Sequence, residues 1–205
     1  MDERELREQM CEVGRLLWVR DLIGGGEGNM SVRMGFGRLL TTPKGRCKGL
    51  LKPEDLVTVS PDGRAIGPGS PSSEVRMHLR IMNLRPDCMA IVHAHPIVAT
   101  AHGSSHEPLP EELTAEAVAT LGPIARVPFA VPGTDELPDA IEPFVRDHRT
   151  FLLSNHGAVS IGEDLMDAYC RMETLERVCR MALVAKQLGS VVRLPQVAVD
   201  RLKKG

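Results

Sequence analysis

Two histidines one residue apart in His93-Ala94-His95, a third in Asn155-His156-Gly157 and a glutamate in Pro71-Ser72-Ser73-Glu74 are the side chains of this chain best suited to chemistry. Three imidazoles and a carboxylate suffice to hold a divalent ion, and a catalytic zinc typically takes three protein ligands with a fourth position left exchangeable. Such an ion polarises a carbonyl and stabilises the charge that develops when a neighbouring carbon loses a proton or a bond breaks. Glu74 is then the base at the metal. Imidazole nitrogen suits zinc and also iron, copper and nickel, and zinc is the expectation for chemistry without a redox step. His78, His102, His106 and His148 do not share this setting. His78, four residues after Glu74, is expected to be structural.

Three further segments offer groups that attract anions. Gly24-Gly25-Gly26-Glu27-Gly28-Asn29-Met30-Ser31 is a glycine-rich turn, but it lacks the G-x-x-x-x-G-K-[ST] pattern of a phosphate-cradling P-loop and precedes a strand rather than a helix. Thr41-Thr42-Pro43-Lys44-Gly45 supplies hydroxyls, a cation and free backbone amides. Ser72-Ser73 supplies two hydroxyls at an expected helix N-terminus, where backbone N–H groups attract negative charge. The three could converge on one phosphate.

Periodicity indicates which elements must position these groups. Leu6, Met10, Val13 and Leu17 recur at helical spacing, predicting a helix from about Arg4 to Leu22 that the glycine run ends. Short strands are expected over 38–42 and 56–60. A helix capped by Ser72 or Ser73 should run to about Leu84, with Glu74 in its first turn and Val75, Leu79 and Met82 inward. Met89 to His93 reads as a buried strand. Side chains alternate along a strand, so His93 and His95 point to one side, which makes H-x-H a chelating pair. Further helices are expected from Pro96 to His102, over 111–121, after Thr134 (shortened or kinked by Pro143), and over 163–188 with Leu165, Tyr169, Met172, Leu175, Cys179 and Leu183 inside. Strands are expected over 124–130, 151–154 and 158–161. The pattern is a mixed α/β sheet flanked by helices on both faces. Residues 1–190 form one domain, with 191–205 a short, loose extension.

Composition narrows the function classes. The 205 residues carry 25 Lys+Arg against 27 Asp+Glu with no strongly basic stretch, which argues against a nucleic-acid partner. No run of about 18 apolar residues suggests a membrane span, and the charged N-terminus lacks an apolar signal core. Five scattered cysteines without a C-x-x-C pair favour reduced, mostly buried thiols and a cytoplasmic location.

With these residues in hand, the chain over roughly 5–190 resembles the class II aldolase/adducin family, which includes fuculose-phosphate aldolase. The ordered motifs are Gly28-Asn29-Met30-Ser31-Val32-Arg33, Thr42-Pro43-Lys44-Gly45, Leu51-Lys52-Pro53-Glu54-Asp55-Leu56-Val57, Pro71-Ser72-Ser73-Glu74, Arg85-Pro86-Asp87, Val92-His93-Ala94-His95, Pro132-Gly133-Thr134 and Asn155-His156-Gly157. The resemblance implies a three-layer α/β/α fold with a central mixed, largely antiparallel sheet. It implies Zn2+ on His93, His95 and His156, Glu74 as the base, and phosphate contacts from Asn29, Ser31, Thr42, Gly45, Ser72 and Ser73. It also implies a homotetramer with active sites between subunits. The implied activity is that of a lyase, an aldolase joining dihydroxyacetone phosphate, as its metal-stabilised enediolate, to an aldehyde, or cleaving such a sugar phosphate. Two positions depart from the pattern. Family aldolases commonly carry a tyrosine acid soon after a Leu-Pro pair. Here Leu109-Pro110 is followed by Glu111-Glu112-Leu113-Thr114, and the only tyrosine is Tyr169. Lys44 stands where small hydroxyl residues are common and would add charge for a phosphate. The missing tyrosine keeps dehydratase and decarboxylase chemistry as alternatives. Glu74 argues against the epimerase branch, which has aspartate there, and the full donor set argues against an adducin-like scaffold.

Overall fold

The computed structural model describes residues 2–203. Met1 and residues 204–205, the end of the expected extension, lie outside them. Helix α1 (Glu3–Val19) is opened by a reciprocal cap. The Asp2 carboxylate accepts from Glu5 N at 2.8 Å while the Glu5 carboxylate accepts from Asp2 N at 2.9 Å. Two amides without helical partners are thereby satisfied. Met10, Val13, Gly14 and Leu17 form the buried face. The helix stops short of the expected Leu22 because Asp21 turns left-handed at φ 58°, which drops Leu22 and Ile23 into the core.

Eight strands form one sheet: β1 (Asn29–Arg33), β2 (Leu39–Thr41), β3 (Val57–Val59), β4 (Ala65–Ile66), β5 (Ala90–Ala94), β6 (Ile124–Val127), β7 (Thr150–Leu153) and β8 (Gly157–Gly162). Their order is β4-β3-β2-β1-β5-β8-β7-β6. Every neighbouring pair is antiparallel except β6 with β7. Alternation along the strands feeds two cores. Met30, Val32, Val92 and Ala94 pack against α1, α3 (Ile97–Gly103) and α5 (Leu165–Gln187). Leu39, Val57, Ile91, Phe151 and Val159 pack against α2 (Val75–Leu84) and α4 (Glu136–Val145). The result is the three-layer α/β/α architecture with a mixed, largely antiparallel sheet.

Several expected elements are adjusted by tertiary contacts. The helix expected over 111–121 is a five-residue π-helical segment, Ala117–Leu121. β6 ends at Val127 rather than 130. Pro143 stands inside α4, which ends two residues later. The inward face of α2 is Val75, Met77, His78, Ile81 and Met82, with Leu79 only partly buried. In α5, Ala182 is inside while Leu183 is 44% exposed. The stretch after Gly189 is not loose. Leu194 N donates to Glu112 O at 2.9 Å, and helix α6 (Gln196–Leu202) buries Val199 completely. All five cysteines are free. Burial pushes the Cys88 and Cys179 thiols up to about 12, so both are protonated core groups. Among the described residues no helix is long and apolar enough to cross a membrane.

One close approach locks α1 to the segment that precedes β3. A Cβ at Gly14 would lie 2.3 Å from the carbonyl oxygen of Lys48. Alanine is the better helix former by about 1 kcal/mol, yet the backbone contact leaves it no room. Gly14→Ala is therefore expected to lose about 1–3 kcal/mol of stability in urea unfolding; a gain would show that α1 does not pack as described.

Candidate metal centre

Strand register assembles the centre. In the middle of the sheet, β1 begins, β5 ends and β8 begins at the same end of the strands, with Asn29 paired to His93 and Ala94 to Ala158. Between β7 and β8 the chain turns at Asn155 in a left-handed conformation, φ 56°, one that asparagine tolerates better than most residues. His156 follows, and then Gly157, where a Cβ would lie 2.6 Å from both Ala94 O and His95 Cδ2. That position has to be glycine for the rings to pack. Glu74 arrives from the α2 side. It occupies the N-cap position of α2, at φ −102° and ψ 11°, one residue ahead of the expected first turn. Ser72 Oγ accepts from Glu74 N at 3.3 Å.

The three imidazoles converge with ring centroids 4.8–5.1 Å apart. His93 is fully buried. Its Nδ1 lies 2.8 Å from Ala158 O. A carbonyl only accepts, so Nδ1 carries a proton and Nε2 is the nitrogen turned toward the cluster. Burial lowers the ring's pKa, but Glu74 outweighs it and raises it, and an ion bound at Nε2 would take the place of the second proton. That Nε2 is 3.1 Å from His95 Nε2 and 3.2 Å from Glu74 Oε2. His156 Nε2 is 3.2 Å from Glu74 Oε1. Ligands bound at zinc's usual distances at the corners of a tetrahedron stand roughly 3.3 Å apart. These spacings and this donor set fit a divalent ion held by His93, His95 and His156 with Glu74 beside it.

Electrostatics sharpen the picture. Burial would raise the Glu74 carboxyl, but His93 and His156 overcome it and hold the group well below the usual carboxylate range. Burial, with His93 and His156 as neighbours, pushes His95 down to about 3, so its ring stays a neutral donor. Asn29 Nδ2 donates to Glu74 Oε2 at 2.6 Å.

A cavity of about 200 Å³ opens beside the cluster, and Asn29, Lys44, Gly45, Ser72 and Ser73 line it together with Glu74, His95 and His156. Two of the expected phosphate contacts, Ser31 and Thr42, do not line this cavity. Ser31 is fully buried, and its hydroxyl donates to Thr41 Oγ1 at 2.9 Å, which donates in turn to Met30 O at 3.0 Å. His78 Nδ1 meets the same serine oxygen at 2.7 Å, a structural tie from α2 to β1. Burial pushes His78 down to about 3 and keeps it neutral. Thr42 Oγ1 accepts from Met30 N at 3.1 Å and is also fully buried. Neither hydroxyl faces the cavity, because the β1–β2 pairing consumes both. Asn29 reaches the cavity with one amide N–H given to Glu74 and its Oδ1 without a protein partner. Sequence reasoning missed Lys48 and Glu27, which also line the cavity. Glu27 Oε1 stands 3.8 Å from His95 Nδ1. The hydrophilic Glu27 stands out in its glycine run, but Lys48 is one of several cations in its segment and nothing local marks it as buried.

The sequence profile of the class II aldolase and adducin N-terminal domain matches residues 8–183. The chain belongs to the class II aldolase/adducin family. Within this family it is 33% identical over 186 residues to 3-oxo-tetronate 4-phosphate decarboxylase of Escherichia coli K12, covering 89% of this chain and 88% of that one. It is 35% identical over 178 residues to L-fuculose phosphate aldolase of Methanocaldococcus jannaschii, covering 87% and 96%. The crystal structure of YgbL from Klebsiella pneumoniae superposes with a TM-score of 0.93 at 32% identity, covering 98% and 99% of the two chains. A solved L-fuculose 1-phosphate aldolase superposes with a TM-score of 0.89 at 30% identity, covering 100% and 97%.

His156→Ala removes one corner of the cluster without touching either hydrophobic core. Elemental analysis of the purified variant should show metal falling from about one ion per chain to less than a tenth of that, with the far-ultraviolet circular dichroism unchanged. Full metal content in the variant would remove His156 from the centre.

Proposed function

We propose that this protein is a metal-dependent lyase that breaks a C–C bond beside a carbonyl in a small phosphorylated sugar acid, releasing carbon dioxide, with zinc as the ion. The observation that carries this reading is the clustering of His93, His95 and His156 with Glu74, where His95, His156 and Glu74 line a cavity together with the 26–29, 43–45 and 72–73 segments. An ion held by the three imidazoles would draw electrons from the carbonyl oxygen and so stabilise the electron pair left by the breaking bond.

The chain's own residues favour decarboxylation over aldol addition. An aldehyde acceptor needs an acid to protonate its oxygen, and two of the polar positions that replace the family tyrosine are engaged in structural hydrogen bonds. Glu111 Oε1 accepts from Ile124 N at 2.8 Å, and Thr114 Oγ1 accepts from Ala117 N at 3.1 Å. Tyr169, the only tyrosine, is buried on α5. Carbon dioxide leaves without any such proton. In a 3-oxo-tetronate 4-phosphate, the substrate named for the decarboxylase relatives, the bond between C1 and C2 would break. The electron pair would stay at C2, conjugated with the C3 carbonyl, and a proton delivered to C2 would give dihydroxyacetone phosphate. That proton would come from a water molecule entering the cavity, and the ionised Glu74, held by Asn29, would relay it to C2.

Aldolase chemistry with dihydroxyacetone phosphate as donor is the second reading, supported by the relatives named L-fuculose phosphate aldolase. It shares the same carbanion and differs in whether carbon dioxide or an aldehyde leaves. A homotetramer with sites between subunits belongs to the same proposal, supported by the exposed apolar side chains Phe36, Ile97, Phe129 and Val131.

The test incubates zinc-loaded protein with 3-oxo-tetronate 4-phosphate in heavy water and follows carbon dioxide, product and deuterium. Monodeuterated dihydroxyacetone phosphate with equimolar carbon dioxide is expected. Glu74→Gln should lower kcat by about 10²–10⁴ while retaining metal. No carbon dioxide, but deuterium exchange into added dihydroxyacetone phosphate, would hand the case to the aldolase reading. Neither would reject both.

A further inference from the structure

Lys48 is the one buried cation of the cavity. Only 3% of it is exposed, and its Nζ donates to Gly26 O at 2.6 Å. An ammonium has three N–H donors, and no carboxylate forms an ion pair with this one among the described residues. Its contact with Gly26 places it at the base of the 26–29 segment, and it lines the same cavity as Lys44, Gly45, Ser72 and Ser73. The backbone there is held by the close approach of α1 at Gly14 described above. The position of the lysine is therefore a product of tertiary packing rather than of a free surface side chain. A buried charge without a partner is costly, and the fold keeps this one where the anion-attracting segments meet.

We propose that Lys48 is a specificity-determining residue, the buried counter-ion of the substrate's phosphate group. This rests on the reading of the cavity as a sugar-phosphate site and deepens it. Lys44, at the cavity's solvent side, adds a second cation, and two cations suit a phosphate dianion better than a carboxylate. The Gly26 contact leaves Nζ with donors to spare for the phosphate oxygens. Burial pulls the ammonium down while Cys47 and Glu74 act to raise it, and an arriving dianion would act in the same direction as those two.

The experiment measures calorimetric binding of three ligands to the zinc-loaded protein: 4-phosphoerythronate, erythritol 4-phosphate, which lacks the carboxylate, and erythronate, which lacks the phosphate. Lys48→Met removes the charge with little change of volume. Lys48→Gln removes it but keeps a donor, so the pair remains informative should the methionine variant fold poorly. Metal content and melting temperature are followed in both. In each folded variant the two phosphate ligands should weaken together by roughly tenfold to a hundredfold, with erythronate unaffected and metal content unchanged. Weakening confined to ligands with a carboxylate, or no weakening at all, would overturn the assignment. Failure of the unmodified protein to bind any phosphate ligand would instead reject the sugar-phosphate reading on which the assignment rests.

Discussion

A carboxylate buried among imidazoles is the constraint on which the rest of this molecule depends. Glu74 is 8% exposed and sits 3.2 Å from two histidine nitrogens. Ionised in so dry a place, it requires positive charge close by. His93 cannot turn away to relieve the crowding, because Ala158 O fixes its Nδ1. Asn29 holds the carboxylate from the other side. The nitrogens and carboxylate oxygens therefore face one another at spacings suited to a single ion. Asn29, the His93–His95 pair, His156 and Glu74 enter from four separate segments, so the cluster exists only when β1, β5, β8 and the start of α2 are in register.

Much of this is legible in the amino-acid sequence. The period-two geometry of His93-Ala94-His95, the glycine after His156 and the serines before Glu74 are local signals with local causes. Helix and strand identities follow from apolar spacing, and the two-sided core follows from strands rich in β-branched residues. What is not legible depends on pairing partners distant in sequence. Ser31 and Thr42 carry the right hydroxyls, but the alignment of Ser31 with Thr41 across two strands turns both inward. Lys48 looks like an ordinary surface cation until α1 covers it. The docking of α6 likewise depends on Glu112, far upstream in the chain. Glu74 stands one residue ahead of its expected place, at the N-cap position of α2, where its side chain makes no capping bond and instead turns to Asn29, His93 and His156.

The chemistry assigned to the cavity is economical in its demands. Carbon dioxide and aldehyde leave from the same carbanion, so one arrangement of imidazoles and carboxylate serves both outcomes, and the choice falls to groups around it. Here, in the segment after Leu109-Pro110, the Glu111 and Thr114 side chains accept from backbone amides. Relatives named for either reaction share about a third of their residues with this chain, as expected where a fold is conserved and function resides in a few side chains.

The central claim is that the three imidazoles hold a metal ion, and X-ray absorption at the zinc edge of the zinc-loaded protein tests it most directly. The account predicts a first shell of low-atomic-number ligands at about 2.0–2.1 Å, with the outer-shell scattering pattern of about three imidazole rings. A sulfur shell near roughly 2.3 Å, or a shell of oxygens without imidazole scattering, would place the ion elsewhere and contradict it.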